Sequence, residues 1–90
     1  MSYSFTVRGV TKAEARENVS LALADVIKNQ PVHEADVDQA SAAASAFINI
    51  LHDDDTKDIW VSMYGSVSWT EAGTVSASVG VAASLIDRGS

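Results

Sequence analysis

The sequence contains no cysteine, which excludes a disulfide framework, a thiolate metal site and a cysteine nucleophile. It has one proline and five glycines, and because the glycines are scattered singly there is no glycine-rich phosphate loop. Basic residues are few, since six Lys and Arg against twelve Asp and Glu give a net charge of −6. That balance argues against a nucleic-acid backbone or an anionic membrane surface as the partner. No apolar run approaches the roughly 20 residues that span a bilayer.

What is present is ordinary for one globular domain covering residues 1–90. The chain has 90 residues, of which 47% are apolar and 20% are charged, and these values are typical of a single soluble unit. The first residues, Met1 to Ser4, lack the basic and then apolar order of a signal peptide. We therefore expect an intracellular protein.

The first third of the chain predicts a strand followed by a helix. Residues 2–10 alternate between apolar and polar side chains, the pattern of a half-buried strand. Thr11 and Glu14 have the spacing of a capping box, which marks a helix start. Apolar residues then recur at helical spacing until Pro31, which disfavours helical geometry before it and is expected to end the helix.

A second helix is predicted to follow at once, with His33 as its cap. Its apolar stripe consists of Val37, Ala40, Ala44, Phe47 and Leu51, widened by Ala43 and Ile48. The acidic run after His52 is expected to end the helix, because acids beside a helix C-terminus oppose the helix dipole.

The last third predicts a β-hairpin. Residues 59–70 and 74–85 both alternate, and a short turn containing Gly73 separates them. The hairpin is long, so a bulge is expected at Gly65 or Gly80. The order β-α-α-β-β predicts an α+β two-layer sandwich, in which both helices cover one face of a three-stranded antiparallel sheet.

The uncovered face of that sheet is predicted to be rich in Ser and Thr and nearly free of charge. Solvated sheet faces normally carry Lys, Glu and Arg, and aromatic residues among small polar ones are typical of a recognition surface. The alternative interpretations are a plain solvated sheet and a surface that binds a small ligand. The residues predicted to bind a protein, either a second copy or another partner, are Trp60, Ser62, Tyr64, Ser66, Ser76 and Ser78.

The faces occupied by the two tryptophans are left open by the sequence. Trp60 and Trp69 have opposite parity, so a regular strand places them on opposite faces, whereas a bulge at Gly65 brings them to the same face.

No catalytic or metal-binding constellation is evident. His33 and His52 lie at opposite ends of the second helix, roughly 28 Å apart at 1.5 Å per residue, so they cannot share a metal ion. A calcium loop starting at Asp53 would need Gly at its sixth position and Glu at its twelfth, where the chain has Asp58 and Tyr64. No Gly-x-Ser-x-Gly elbow occurs. We therefore expect a non-enzymatic protein without a cofactor or metal.

The acidic residues are concentrated between positions 34 and 58. An acidic patch is predicted at Asp53, Asp54, Asp55 and Asp58. The alternative function is therefore an inhibitor that mimics the charge of a nucleic acid and binds a basic host protein.

Three segments carry a resemblance to a known group of proteins: Gln30-Pro31-Val32-His33, the acidic turn from Asp53 to Lys57, and the strand from Gly65 to Trp69. Together they resemble small proteins encoded by tailed phages and prophages. The resemblance implies a phage protein in the host cytoplasm or the virion, with a role in phage assembly or an accessory function. It implies no active-site residue. We expect a homo-oligomer, and the expected partner is a second copy or another phage or host protein, without direct contact to nucleic acid or membrane.

Overall fold

The computed structural model describes the backbone of residues 2–28, 34–70 and 73–88, and the side chains of 2–26, 28, 37–66 and 78–88. Five elements follow each other along the chain. They are β1 (Ser2–Gly9), α1 (Lys12–Lys28), α2 (Glu34–Asn49), β2 (Lys57–Thr70) and β3 (Gly73–Asp87). The predicted order β-α-α-β-β and the α+β class are confirmed.

The three strands form one antiparallel sheet in the order β1-β2-β3, so β2 is central. β1 pairs with β2 from Ser2 opposite Ser66 to Gly9 opposite Ile59. β3 pairs with β2 along the whole hairpin. Because β1 reaches only as far as Ser66, the hairpin extends past it, and the molecule is 49 Å long but only 22 × 17 Å across.

The core lies between the sheet and the two helices. The two helices pack against each other, and among the strands α1 contacts β1 most and α2 contacts β3 most. The buried residues come from α1, α2 and the central strand, and they are Ala15, Val19, Leu23, Ala40, Ala44, Ile48, Ile59, Val61 and Met63. The inner side chains of the two edge strands pack against this cluster but are only half-buried. Both helices therefore cover one face of the sheet, as predicted.

The helix ends that meet near the acidic loop are capped by side chains. The Glu14 N–H donates to Thr11 Oγ1 at 3.1 Å, which is the N-cap bond predicted from the spacing. α2 ends at Asn49, four positions before Asp53, the first residue of the acidic run that was expected to end it. The Nζ of Lys12 donates to the Asn49 carbonyl at 3.3 Å and pairs with Asp53 at 3.2 Å. A cation from α1 thus stabilises the C-terminus of α2.

The apolar stripe of α2 matches the predicted one except at Phe47. Ala40, Ala44 and Ile48 are buried and Val37 and Leu51 pack against the core, whereas Phe47 is 45% exposed. Alanines of α2 occupy most of its faces, so its hydropathy pattern does not separate Phe47 from the residues that face the sheet. The predicted cap at His33 lies outside the described residues.

The irregularity in the hairpin also differs from the predicted one. The register shift lies between Ser68 and Trp69, not at Gly65 or Gly80. The two glycines instead make room for aromatic rings. A Cβ at Gly65 would meet the ring of Tyr3 on the inner face, and a Cβ at Gly80 would meet the ring of Tyr64 on the outer face.

Within residues 2–28, 34–70 and 73–88, neither helix has the length and apolar character required to cross a membrane.

Candidate functional site: the outer face of the sheet

The face of the sheet opposite the helices is built from alternate residues of all three strands, and we call it the outer face. Side chains of a strand alternate between its two faces, so the register fixes which residues share this face. Across the sheet, Ser4, Tyr64 and Gly80 form one row, and Thr6, Ser62 and Ala82 form the next. Ser2, Ser66 and Ser78 form the row nearest the hairpin end. None of these nine residues is charged.

Tyr64 is the most prominent side chain of the outer face. It is 64% exposed, although it belongs to the central strand, and its ring lies over Gly80 of β3. Glycine at this position lets the ring lie flat against the backbone of the neighbouring strand. Tyrosine has few rotatable bonds, so such a ring offers a large contact area at a small cost in conformational entropy.

Trp60 lies on the same face, two rows from Tyr64. It is half-buried and stands opposite Arg8 of β1 and Ser84 of β3. It is not beneath the helices, because its inner-face neighbours Ile59 and Val61 occupy that side. The side chain of Trp69 lies outside the described residues.

The remaining predicted partner-binding residues are serines. Ser62 is half-buried between the two aromatic residues, and Ser66 and Ser78 are exposed. The hydroxyls of Ser66 and Ser78 bond to each other at 2.8 Å across the hairpin. The side chain of Ser76 lies outside the described residues. A shallow depression beside these serines is lined by Ser2, Tyr3, Ser4, Tyr64, Gly65, Ser66 and Ser78.

One end of the outer face is charged. The carboxylate of Asp58, only 7% exposed, accepts from Arg8 Nε at 2.8 Å and from Arg88 Nε at 2.7 Å. Arg88 also donates to the Lys57 carbonyl at 3.1 Å. The hydrogen bond from Arg88, followed by that from Arg8, holds the pKa of the Asp58 carboxyl below its usual value. Two arginines against one carboxylate leave this end of the face locally positive.

The predicted acidic patch is divided by the structure into two places. Asp53, Asp54 and Asp55 lie in the loop after α2, whereas Asp58 lies in β2 between its two arginines. Asp54 Oδ1 accepts from the Thr56 hydroxyl at 2.6 Å and from the Thr56 N–H at 2.9 Å. These bonds hold the pKa of Asp54 below its usual value. The inhibitor hypothesis thus depends on the three loop acids and stays a prediction.

A cleft of about 330 Å³ lies between this loop and the start of α1. Its charged lining residues are of both signs and include Lys12, Asp53 and Lys57, and His52 lies beside them. Among the side chains described, no three His, Asp or Glu residues are placed to hold a metal ion. The cleft brings His52 near the N-terminus of α1.

Sequence reasoning missed the bonds of Asp58 to Arg8 and Arg88, because they join residues 50 and 30 positions apart. Only the strand register brings the three side chains together. It also missed the contact of Tyr64 with Gly80, although a glycine in a strand is a known sign of close approach.

Comparisons of the chain with protein-family models, with curated proteins and with solved structures found no match.

Proposed function

We propose that this protein is non-enzymatic and acts by binding another protein through the outer face of its sheet. The observation that carries the proposal is the placement of Tyr64, an exposed tyrosine on a glycine and among small uncharged residues. A molecule with a net charge of −6 would be expected to place charged side chains on a face that only meets water. Their absence from nine neighbouring positions favours a binding role.

The chemistry of the face defines the class of partner. Hydroxyls and Tyr64 fit a flat protein surface that offers hydrogen-bonding groups and apolar contact, and aromatic side chains commonly carry most of the binding energy in such interfaces. At the other end, the exposed parts of Arg8 and Arg88 favour an acidic side chain of the partner. The partner is therefore a protein surface with an acidic group about three rows from its tyrosine-binding part, the separation of Asp58 from Tyr64.

The biological setting is a second part of the proposal. A role in phage assembly or an accessory phage function, in the host cytoplasm or in the virion, is supported by the resemblance described above. It stays a prediction.

The test is site-specific photocrosslinking followed by affinity measurement. A photoreactive residue at Ser62, between the two aromatic residues, is compared with one at Leu21, which is 62% exposed on α1. We expect Ser62 to crosslink one protein that Leu21 does not. That protein is then purified, and its affinity is measured for the wild type, Tyr64→Lys and the matched control Leu21→Lys.

A loss of at least about tenfold in affinity with Tyr64→Lys is expected, since truncating or charging a central aromatic contact commonly costs more than 1.4 kcal/mol. Leu21→Lys should bind as the wild type does. The proposal is overturned if Ser62 crosslinks no more than Leu21, or if the two lysine variants bind equally well.

A further inference from the structure

Among the residues that the structure describes, the far edge of β3 has no paired strand. Within the described residues β3 pairs only with β2, so the backbone groups on its other side face outward. From Gly73 to Ile86 the strand contains no charged residue and no proline. Proteins normally protect such edges with charge, proline or a covering segment, because an exposed edge pairs readily with another strand.

The opposite edge of the sheet is different. β1 carries Arg8, and the Asn18 side chain of α1 donates from Nδ2 to the Arg8 carbonyl at 2.7 Å. Helical spacing places Glu14 and Asp25 on the same flank of α1 as Asn18. The β1 edge therefore has polar and charged protection that the β3 edge lacks.

A second uncharged surface lies directly above the β3 edge. Asn49 of α2 faces α1, because its Oδ1 accepts from Arg16 Nη1 at 2.7 Å. Phe47 lies about 200° around the helix from Asn49 and so points away from α1. Ala43 and Ile50 lie on the same flank, and α2 itself packs over β3. Phe47 is 45% and Ile50 77% exposed, and residues 39–51 contain no charge.

We propose that a second copy of this chain covers both features, by pairing antiparallel along β3 about a two-fold axis near Ser78. Two molecules that each carry a charge of −6 repel each other, and this repulsion is weakest when they meet through uncharged surfaces. An antiparallel strand pair is self-complementary under a two-fold axis, as a homodimer requires. An axis near Ser78 pairs residues 73–83 of the two copies, a stretch about 35 Å long. With a depth of 17 Å it offers on the order of 600 Å² per protomer, the lower end of the range for a specific interface.

The position of the axis follows from the lengths of the elements. β3 has 15 residues and spans about 50 Å, whereas α1 and α2 have 17 and 16 residues and span about 25 Å each. The helices therefore cover only the half of β3 that contains Val79 to Leu85, whose inner side chains contact the core. Helices pack about 8–10 Å apart and paired strands about 4.8 Å.

Two α2 helices placed side by side over paired β3 strands would therefore collide. An axis at Ser78 avoids this, because it sets the helix-covered half of each β3 beside the partner's residues 73–77. The flank of α2 with Phe47 and Ile50 then lies above the partner's projecting hairpin. The result is a six-stranded sheet in which the outer faces of the two copies are continuous and carry two Tyr64 side chains.

The first test is the mass in solution by sedimentation over a wide concentration range. We expect the wild type to sediment at twice 9.5 kDa and Ile50→Glu to dissociate at least about tenfold more readily. The matched control Leu21→Glu changes an exposed leucine on α1 and should leave the dimer intact. A monomeric wild type, or equal effects of the two glutamates, overturns the proposal. Tyr64→Lys should also leave the mass unchanged, which separates this dimer from binding through the outer face.

The second test uses the absence of cysteine, since each engineered cysteine is the only one in the molecule. Ser78→Cys lies at the proposed axis and should form an intermolecular disulfide on mild oxidation. Ser84→Cys, on the same face of the same strand, should not, because six residues from the axis separate the two copies by about 40 Å. Ser4→Cys on β1 is the control, because its disulfide yield measures the background from random collisions between molecules. Equal crosslinking at Ser78 and Ser84, or none at Ser78 above the Ser4 level, overturns the proposal.

Discussion

The ring of Tyr64 occupies the space in which a side chain at Gly80 would begin. The two residues are directly opposite each other in the register of β2 and β3. The absence of a Cβ on one strand therefore determines how the aromatic side chain of the other lies on the sheet. A similar relationship joins Tyr3 to Gly65 on the inner face, where the Tyr3 ring also stacks on Phe5 with 6.3 Å between centroids.

Gly80 and Gly9 are predicted to differ in their tolerance of substitution by alanine. A Cβ at Gly80 would meet the far end of an exposed tyrosine, which can rotate away, so we expect Gly80→Ala to change stability by less than about 1 kcal/mol. A Cβ at Gly9 would lie 2.6 Å from the backbone nitrogen of Ala15, and a backbone cannot rotate away. Gly9→Ala is therefore expected to cost about 1–3 kcal/mol. Urea unfolding of both variants provides the comparison, and equal losses would contradict it.

The rotation of α2 is tested by neighbouring truncations. Ile48 is fully buried and Phe47 is 45% exposed. We expect Ile48→Ala to lower the free energy of unfolding by about 2–5 kcal/mol, and Phe47→Ala by about 1 kcal/mol. The measurement is urea unfolding at a protein concentration low enough to keep the chain monomeric. A larger loss for Phe47→Ala would instead support the stripe predicted from the sequence.

The pair of arginines at Asp58 predicts a specific dependence of stability on pH. Their hydrogen bonds, that of Arg88 first, hold the folded pKa of this carboxyl below its unfolded value near 3.8. The resulting stability is fully present above the unfolded pKa and is lost as the pH falls through the lower folded pKa. Asp58→Asn should therefore lower the unfolding free energy at neutral pH, with a difference from the wild type that shrinks below about pH 4.

The matched control for this experiment is Asp55→Asn, because Asp55 is exposed in the loop just before β2. Its urea unfolding should follow the wild type at both neutral and acidic pH. If Asp58→Asn unfolds like the wild type at neutral pH, the ion pairs with Arg8 and Arg88 contribute nothing to stability.

The N-cap of α1 gives a fourth prediction. Thr11 Oγ1 accepts the Glu14 N–H, so Thr11→Ala leaves one helix N–H without its partner. We expect a loss of about 1 kcal/mol in unfolding free energy. Thr11→Ser retains a hydroxyl and should recover most of it. Thermal or urea unfolding of the two variants distinguishes a lost hydrogen bond, where only alanine is affected, from lost packing of the methyl group, where both are.

The sequence predicted the elements of the fold where one local pattern dominates. Alternation along residues 2–10 and 59–70 places Tyr3 and Trp60 on opposite faces of the sheet, and the register agrees. The spacing of Thr11 and Glu14 located the start of α1. These features depend on neighbours within four residues, so a single sequence is sufficient to find them.

The features that the sequence did not predict depend on distant partners or on weak patterns. An alanine-rich helix has similar hydropathy on several faces, so the sequence placed both Phe47 and Ile48 in the apolar stripe, and packing buries only Ile48. The position of Arg88 beside Asp58 requires the register of the whole hairpin. A strand glycine is compatible with both a bulge and a close approach, and only the ring of Tyr64 decides between them at Gly80.

Asp58 accepts from both Arg8 and Arg88, so both edge strands are joined to the central one at a single carboxylate. The opposite end of the sheet consists of the hairpin alone, beyond the reach of β1. Thermal opening that begins at the turn must pass along most of β2 before it releases the edges. Amide hydrogen exchange in β2 of the monomer should accordingly slow from the turn toward Asp58, so that the sheet opens from its hairpin end.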